Sequence, residues 1–258
     1  MSKSKKETGK VIKKKTHRRV SLPKLMRLDV MILGIIVLLI VVGVYLIFFP
    51  SPTLTATSPP KPPLQQIREG VKAVFTDKNL SASLTLTYRV RGAYPLENST
   101  LSVLDYVYFL MGYDNVTGSN YVDFSSAPYL QPFFRGLGLT MVVVGNTTRL
   151  PLIDSPREIL FNTKVLSHLN ISYQNYGKER DDVITLKISN MDGSASETIT
   201  REVEIVKYGL TVNIANTTSR DVKAFLWVDK EFQIPLKAEY VIDDKYVLTL
   251  VLEAVRKA

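Results

Sequence analysis

The chain has 258 residues and no cysteine, and its 33 Lys and Arg against 24 Asp and Glu give a net charge of +9. The absence of cysteine excludes disulfide staples, thiol chemistry and cysteine-ligated metal sites. The charge excess lies wholly in residues 1–29, where eleven basic side chains face two acidic ones, so the remainder carries 22 of each sign. The high pI therefore belongs to this basic tail and gives no support for nucleic-acid binding by the rest of the chain.

Residues 30–49 form an apolar run of 20 residues without a charge or a proline. At about 1.5 Å per residue, a helix of this length matches a hydrocarbon core of roughly 30 Å. A cleaved signal peptide is the alternative, but its apolar region is usually about 7–15 residues and ends at small side chains, whereas this run ends in Phe48-Phe49. The run predicts a transmembrane signal anchor.

The basic tail predicts the orientation of this anchor. Because positive charge stays in the cytoplasm, residues 1–29 are expected inside and residues 50–258 outside, which predicts a single-pass protein of the cell membrane. The tail composition is typical of a disordered segment. It suits contact with anionic headgroups of the bilayer. Docking to an acidic or RNA-rich partner is the alternative, which the lack of aromatic residues in the tail disfavours.

Two compositional features describe the expected extracytoplasmic part. Residues 50–63 hold six prolines and predict a stiff stalk, so that residues 64–258 form the folded domain. Six of the eleven asparagines of the chain lie in Asn-x-Ser/Thr sequons, all beyond the anchor, which predicts a glycosylated surface. Many sequons without cysteine favour a prokaryotic cell-envelope protein of an asparagine-glycosylating lineage. The candidate glycosylation sites are Asn79, Asn98, Asn115, Asn146, Asn170 and Asn216.

The first half of the domain predicts few elements. Residues 64–75 place apolar side chains on one helical face, and residues 82–90 alternate as a strand does. Residues 100–112 fit a short helix, although their aromatic residues also permit a strand. A strand is expected at 139–144, and Ser155-Pro156 begins a predicted helix that runs through residues 159–169.

The second half is predicted to be β almost throughout. Short alternating runs joined by tight turns are typical of an antiparallel meander. We therefore predict an α+β fold of mainly antiparallel β-structure, with one curved sheet and a few packed helices, in addition to the transmembrane helix. The runs cover 183–189, 198–206, 210–215, 222–228, 236–242 and 245–255, and the turns include Asp192-Gly193, Tyr208-Gly209, Asn216–Arg220 and Asp243-Asp244.

Two separate pieces of the domain resemble the LolA-like family of lipoprotein and lipid carriers. The first is the amphipathic helix that leads directly into the strand at 81–90. The second is the stretch Phe225 to Tyr240, in which a strand, a turn framed by Asp229 and Pro235, and a further strand follow one another. Together the pieces cover about 60 residues, and residues 92–180 show no such likeness. We call the turn between Asp229 and Pro235 the family-like turn.

The resemblance implies a strongly curved half-barrel closed by helices around an apolar cavity, which holds lipid tails or lipidated segments. Each aromatic side chain of the domain is also compatible with an ordinary filled core. The candidate cavity residues are Tyr88, Tyr108, Phe109, Phe133, Phe134 and Trp227.

Catalytic motifs are not found in the sequence. His17 and His168 are its only histidines, and the chain has no Walker loop, Gly-x-Ser-x-Gly or Gly-x-Gly-x-x-Gly. Residues 192–196 match the Asp-x-Ser-x-Ser of metal-dependent adhesion sites, but their alternating flanks predict a hairpin. The carboxylate pairs at 181–182 and 243–244 are expected at solvated turns. We predict neither an enzyme nor a cofactor or metal.

Two functions remain open from the sequence. The first is a membrane-anchored binding domain that holds a lipid or a lipidated protein in an apolar cavity. The second is a cell-surface structural or protein-interaction module that has no cavity and contacts an envelope protein through its outer face. The presence of an apolar space inside the domain distinguishes them.

Overall fold

The computed structural model describes residues 32–41, 59–96, 98–139, 142–144, 147–149, 151–214 and 218–258. Residues 32–41 form an exposed helix, α1, while the remainder of the predicted anchor, the basic tail and residues 50–58 lie outside the described residues. Among the helices that are described, none is both long and apolar enough to cross a membrane. The chain divides into two units, Met1–Ser58 and Pro59–Ala258, and the second unit contains the folded domain.

The second unit begins with helix α2, Pro63–Val71, which continues as one wider turn over Lys72–Thr76. Pro63 occupies the first turn, where its missing N–H costs nothing. The helix packs closely against β1, because a Cβ added at Gly70 would lie 2.8 Å from the Leu84 side chain. The predicted amphipathic helix is confirmed.

Most of the domain is one nine-stranded sheet in the order β10-β9-β8-β7-β11-β1-β2-β3-β6, and β4 and β5 form a separate hairpin. All pairings are antiparallel except that of β11 with β7. The predicted α+β, mainly antiparallel fold is therefore confirmed. The strands are β1 Ser83–Leu96, β2 Ser99–Asp114, β3 Ser119–Ser126, β4 Val142–Val144, β5 Thr147–Arg149, β6 Leu152–Ile153, β7 Tyr173–Asn190, β8 Ser196–Ile214, β9 Thr218–Asp229, β10 Pro235–Ile242 and β11 Tyr246–Lys257.

Strand β11 occupies the middle of this sheet and has three partners. β1 covers one of its edges from Leu248 to Lys257. The other edge pairs with β10 as far as Val251 and then with β7 at Ala254 and Val255. The edge is thus shared by β10 and β7 in succession, which bends the sheet back on itself.

Short helices connect the strands of the first half. A single 3₁₀ turn, Pro128–Leu130, leads into α3, Gln131–Gly136. The predicted helix after Ser155 is instead two pieces, a 3₁₀ helix at Pro156–Leu160 and α4 at Thr163–His168. They are separated because Asn162 is extended and caps α4, its side chain accepting the N–H of Val165 at 3.1 Å.

Three other expectations need correction. Residues 100–112 are strand rather than helix, since β2 pairs with β1 from Ser99 to Gly112. No turn occurs at Tyr208-Gly209, because β8 continues through it and Gly209 makes room for the ring of Tyr176. The Asp181-Asp182 pair lies within β7 rather than at a turn. The hairpins at Asp192-Gly193 and Asp243-Asp244 are confirmed.

Candidate functional site

The interior of the domain contains a continuous chain of seven aromatic rings, which we call the aromatic interior. Tyr88 meets Phe109 edge-on with centroids 5.6 Å apart, and Phe109 lies 5.3 Å from Phe124. Phe134 continues the chain at 5.1 Å from Phe124. Phe133 follows at 5.4 Å from Phe134, and it also contacts Tyr94 at 6.1 Å and Tyr240 at 5.4 Å. Rings from β1, β2, β3 and β10 are thereby joined through α3.

Two of these rings, Phe133 and Phe134, do not belong to the sheet, and we call them the plug. They lie on α3, within the connection from β3 to β4. Gln131 ties this connection to Ser126 by two side-chain hydrogen bonds of 3.1 and 3.3 Å. The helix rests directly on β8, because a Cβ at Gly136 would lie only 2.9 Å from the Cβ of Val212. Glycine at this position therefore permits the close approach that holds the plug in place.

Three tyrosine hydroxyls in the aromatic interior donate to backbone carbonyls. Tyr88 donates to Pro235 at 2.7 Å, Tyr240 donates to Leu160 at 2.6 Å, and Tyr94 donates to Tyr129. Burial raises the pKa of Tyr94 to about 12, and burial also raises the pKa of Tyr88 and of Tyr240. The hydroxyls therefore stay neutral and satisfied, so the surroundings suit an apolar ligand rather than a charged one.

The aromatic interior is filled by the protein's own side chains. Six of its seven rings, all except Phe124, have no solvent exposure. A ligand that enters this space must therefore displace side chains, and the plug is the part that is not held in the sheet.

Four of the six candidate cavity residues, Tyr88, Phe109, Phe133 and Phe134, meet in the aromatic interior. Tyr108 does not, since adjacent strand residues point to opposite faces, and it is 40% exposed. Trp227 lies on the face opposite Ala224, the partner of Tyr240. There its indole donates to Asp182 at 3.4 Å and its ring lies 4.1 Å from the ammonium of Lys237. The predictions for Tyr108 and Trp227 therefore need correction, because the two-residue period of their strands places both side chains on the face opposite the aromatic interior.

Three rings of the aromatic interior, Tyr94, Phe124 and Tyr240, were not among the predicted cavity residues. Tyr88 and Tyr94 are an even number of residues apart on β1, so both lie on its inward face. Tyr240 lies on the same face of β10 as Ala238 and Ile242, which are both fully buried. Strand parity was therefore the signal available for the tyrosines.

The family-like turn is held by the hydrogen bonds and the ion pair of a buried carboxylate. Asp229 ends β9 and Pro235 opens β10, as predicted. The fully buried Asp229 carboxylate accepts the N–H groups of Glu231 and Phe232, both at 2.8 Å, and two N–H groups of Arg201 at 2.7 and 3.2 Å. The carboxylate beside it raises the pKa of Arg201. Because its two oxygens accept four N–H groups, the Asp229 carboxylate stabilises the turn.

The candidate glycosylation sites fall into two groups. Asn79, Asn98, Asn115 and Asn170 are exposed, so each is accessible to an oligosaccharyltransferase. Asn146 and Asn216 lie outside the described residues. His168 is exposed at the end of α4, and the described part of the chain contains no group of three His, Asp or Glu side chains that could hold a metal.

Comparison with known proteins identifies neither a matching family model nor a similar curated protein. Similar solved structures include the MucA/MucB complex of Pseudomonas aeruginosa (11% identity, TM-score 0.27, covering 75% of this chain). They also include a LolA superfamily protein from Nitrosomonas europaea (9%, 0.25, 75%) and a DUF1329 family protein from Desulfovibrio piger (10%, 0.23, 76%). The match spans 56% of the first of these chains, 92% of the second and 93% of the third. The second belongs to the superfamily that the two sequence pieces resemble.

Proposed function

We propose that the chain is a membrane-anchored extracytoplasmic binding protein that takes the apolar chain of a lipid or lipidated protein into the aromatic interior. The observation that carries the proposal is the origin of the plug. Phe133 and Phe134 fill the centre of the domain, yet they belong to a short connecting helix rather than to a strand. Outward movement of this one helix opens an apolar space without breaking the pairing of the sheet.

The energetic cost of this movement sets the size of the ligand. An aromatic side chain buries about 150–250 Å², so exposing two rings costs roughly 7–12 kcal/mol at about 25 cal/mol per Å². An acyl chain returns about 0.8 kcal/mol for each buried methylene. The two terms balance at roughly 9–16 methylenes, so the site suits long acyl chains and discriminates against short ones.

The predicted anchor would keep this site close to a membrane. A helix over residues 30–49, a basic tail held at the cytoplasmic surface and a proline-rich stalk would keep the domain beside one membrane. The four exposed sequon asparagines are compatible with an extracytoplasmic surface. The bilayer, or an envelope protein that delivers a lipidated segment, would then be the source of the ligand.

A second function is favoured by one observation, the fully buried state of the plug. If these rings never leave, the domain is a structural or protein-interaction module with a solid core. The two functions differ in whether the interior of the domain opens to an apolar ligand, so a measurement of ligand entry distinguishes them.

The experiment locks the plug. Because the chain has no native cysteine, Gly136→Cys with Val212→Cys introduces a single disulfide between α3 and β8. The 2.9 Å approach requires a shift of about 1 Å to reach the usual Cβ separation of roughly 3.5–4.5 Å. Binding of palmitic acid is measured by native mass spectrometry on the fragment 59–258, which contains all the buried core residues of the described structure.

The outcomes are distinct. The unmodified fragment and the reduced double variant bind palmitic acid, and the oxidised variant does not, if the proposal is correct. Octanoic acid, which has too few methylenes to offset the cost of moving the plug, binds to none of the three forms. A fragment that stays free of palmitic acid in every state supports the solid-core module, and equal binding by the oxidised and reduced forms refutes entry beneath the plug.

A further inference from the structure

One edge of strand β7 is unpaired over most of its length by the residues that the structure describes. β8 pairs with β7 along one side from Tyr173 to Ser189. On the other side, the pairings of the described residues include only Ser189 and Asn190, which meet β11. The edge from 173 to 188 therefore offers free backbone donors and acceptors, which are a template for another strand.

The two halves of this edge differ in how they are protected. The first half carries five consecutive charged residues, 178–182, and two register irregularities, both of which discourage strand addition. The second half, residues 183–188, reads Val-Ile-Thr-Leu-Lys-Ile and has a regular register. Val183 is 60% exposed although it is apolar. Pairing is thus permitted at 183–188 and opposed at 178–182.

The hydrogen-bonding groups of the second half point outward. The N–H of Asn190 donates to Ala195 at the β8 side. Since successive N–H groups of a strand alternate in direction, those of Thr185 and Lys187 point away from β8. The N–H of Val183, which has the same direction, is already occupied by the side chain of Asp182 at 2.8 Å. An added strand would therefore pair at Thr185 and Lys187.

A groove of about 480 Å³ lies beside this edge, where β11 passes from β10 to β7. Its size falls within the range of roughly 300–1,000 Å³ that is common for ligand clefts. Apolar side chains such as Leu186 and Val251 line it together with three basic residues, Arg89, Arg91 and Lys187, and one carboxylate, Glu253. The excess of positive charge favours an acidic group in this groove.

Two charged side chains that line the groove, Arg89 and Glu253, have atoms without a hydrogen-bond partner in the described part of the chain. Arg89 and Glu253 form an ion pair, and each side chain is about one-third exposed. Among the described residues, the Nε of Arg89 and the Oε2 of Glu253 are nevertheless buried without hydrogen-bond partners. Buried groups of this kind are costly to leave unpaired, so a rearrangement of the two side chains that gives these atoms partners on a ligand is favourable.

We propose that residues 183–188 bind an extended peptide segment by strand addition, with an acidic side chain of that segment held by Arg91 and Arg89. The site lies outside the aromatic interior and does not depend on lipid binding. Pairing of this edge with its own copy is disfavoured, because a two-fold arrangement would bring two sets of the same basic side chains together.

The test uses the full-length chain in phosphatidylcholine nanodiscs and a set of labelled heptapeptides of alternating valine and threonine. Each peptide has one glutamate at a different position, and each has a glutamine counterpart. Fluorescence anisotropy is expected to show saturable binding for at least one glutamate peptide, about tenfold tighter than for its glutamine counterpart, as for a hydrogen bond to a charged group. Two series of N-methylated peptides carry the methyl groups on alternate amides, one series on each set. The series whose methylated amides would pair with β7 is expected not to bind.

Variants of the protein locate the site. Thr185→Pro removes an outward N–H without breaking the ladder to β8 and abolishes binding, whereas Thr185→Ala retains it. Arg91→Glu weakens the glutamate peptide about tenfold and transfers the preference to a lysine peptide, while the same change of charge at exposed Lys72 leaves binding unaltered. Absence of saturable binding, full binding by Thr185→Pro or by both N-methylated series, or dimerisation through this edge would overturn the proposal.

Discussion

Phe133→Ala removes the ring that makes the largest number of aromatic contacts in the interior. Phe133 has no solvent exposure and contacts the rings of Tyr94, Phe134 and Tyr240. Replacement of a buried Phe by Ala costs about 3–5 kcal/mol, and three ring pairs place this site in the upper part of that range. A loss of about 4 kcal/mol lowers the Tm of a 200-residue domain by roughly 8–16 °C.

The assay combines urea unfolding of the fragment 59–258 with palmitic acid binding. Phe161→Ala is the matched control, because Phe161 is 2% exposed and stacks on Tyr208 at 4.2 Å, outside the aromatic interior. Both variants are expected to lose similar stability. Only Phe133→Ala is expected to bind palmitic acid more tightly, by tenfold or more, since part of the cost of opening has been removed.

Two results would contradict this prediction. A loss of less than about 1 kcal/mol would mean that the ring is not packed as described. Equal changes in palmitic acid binding for the two variants would mean that general loosening of the core, rather than the plug, controls access.

Three further predictions concern other parts of the domain. Asp229→Ala is expected to lower the free energy of unfolding by about 3–5 kcal/mol in urea, because the turn loses the acceptor of two backbone N–H groups and the largely buried guanidinium of Arg201 keeps only Glu231 as an ion-pair partner. Lys61 lowers the pKa of Glu69 from 4.5 to about 2, so this carboxylate stabilises the fold above pH 4.5 and the contribution is lost as the pH falls toward 2. Glu69→Gln should flatten that part of the pH dependence of unfolding. Gly136→Ala is expected to cost about 1–3 kcal/mol by overpacking against Val212 and to tighten palmitic acid binding, both measured on the fragment.

Each of these has a control. Asp154→Ala breaks a more exposed ion pair with Lys164 and should cost no more than about 1 kcal/mol; a similar loss for Asp229→Ala would contradict a special role for the turn. An unchanged pH profile in Glu69→Gln would show that the ion pair does not form in solution. Val212→Ala, added to Gly136→Ala, should recover stability if the contact is the cause.

The mainly antiparallel sheet could be predicted because hydrophobic alternation is a local property of each strand. Prediction was wrong where local signals compete. Residues 100–112 fit both a helix and a strand, and pairing with β1 and β3 on either side decides the matter. Gly209 looked like a turn, but in the fold its missing side chain accommodates Tyr176 within a continuous strand. These outcomes depend on neighbours that are distant in sequence.

In the candidate site, too, local sequence signals account for some residues and long-range packing accounts for others. Tyr88 and Phe109, both predicted to line a cavity, lie in the aromatic interior, whereas strand parity alone places Tyr108 on the opposite face of β2 from Phe109. The plug belonged to an irregular region where periodicity gives no direction, so the role of α3 in joining the rings of β1, β3 and β10 emerged only from the packed structure.

The central position of β11 has a consequence for biogenesis. The pairs between β1 and β11 join residues more than 150 positions apart, so the middle of the sheet stays open until residues 246–257 have emerged. Contacts at such separation are slow to form, and until then the edge of β1 is unpaired and prone to misassociation. A nascent domain of this design would need protection until synthesis reaches β11, and a chain interrupted before Tyr246 would lack the strand that joins its two halves.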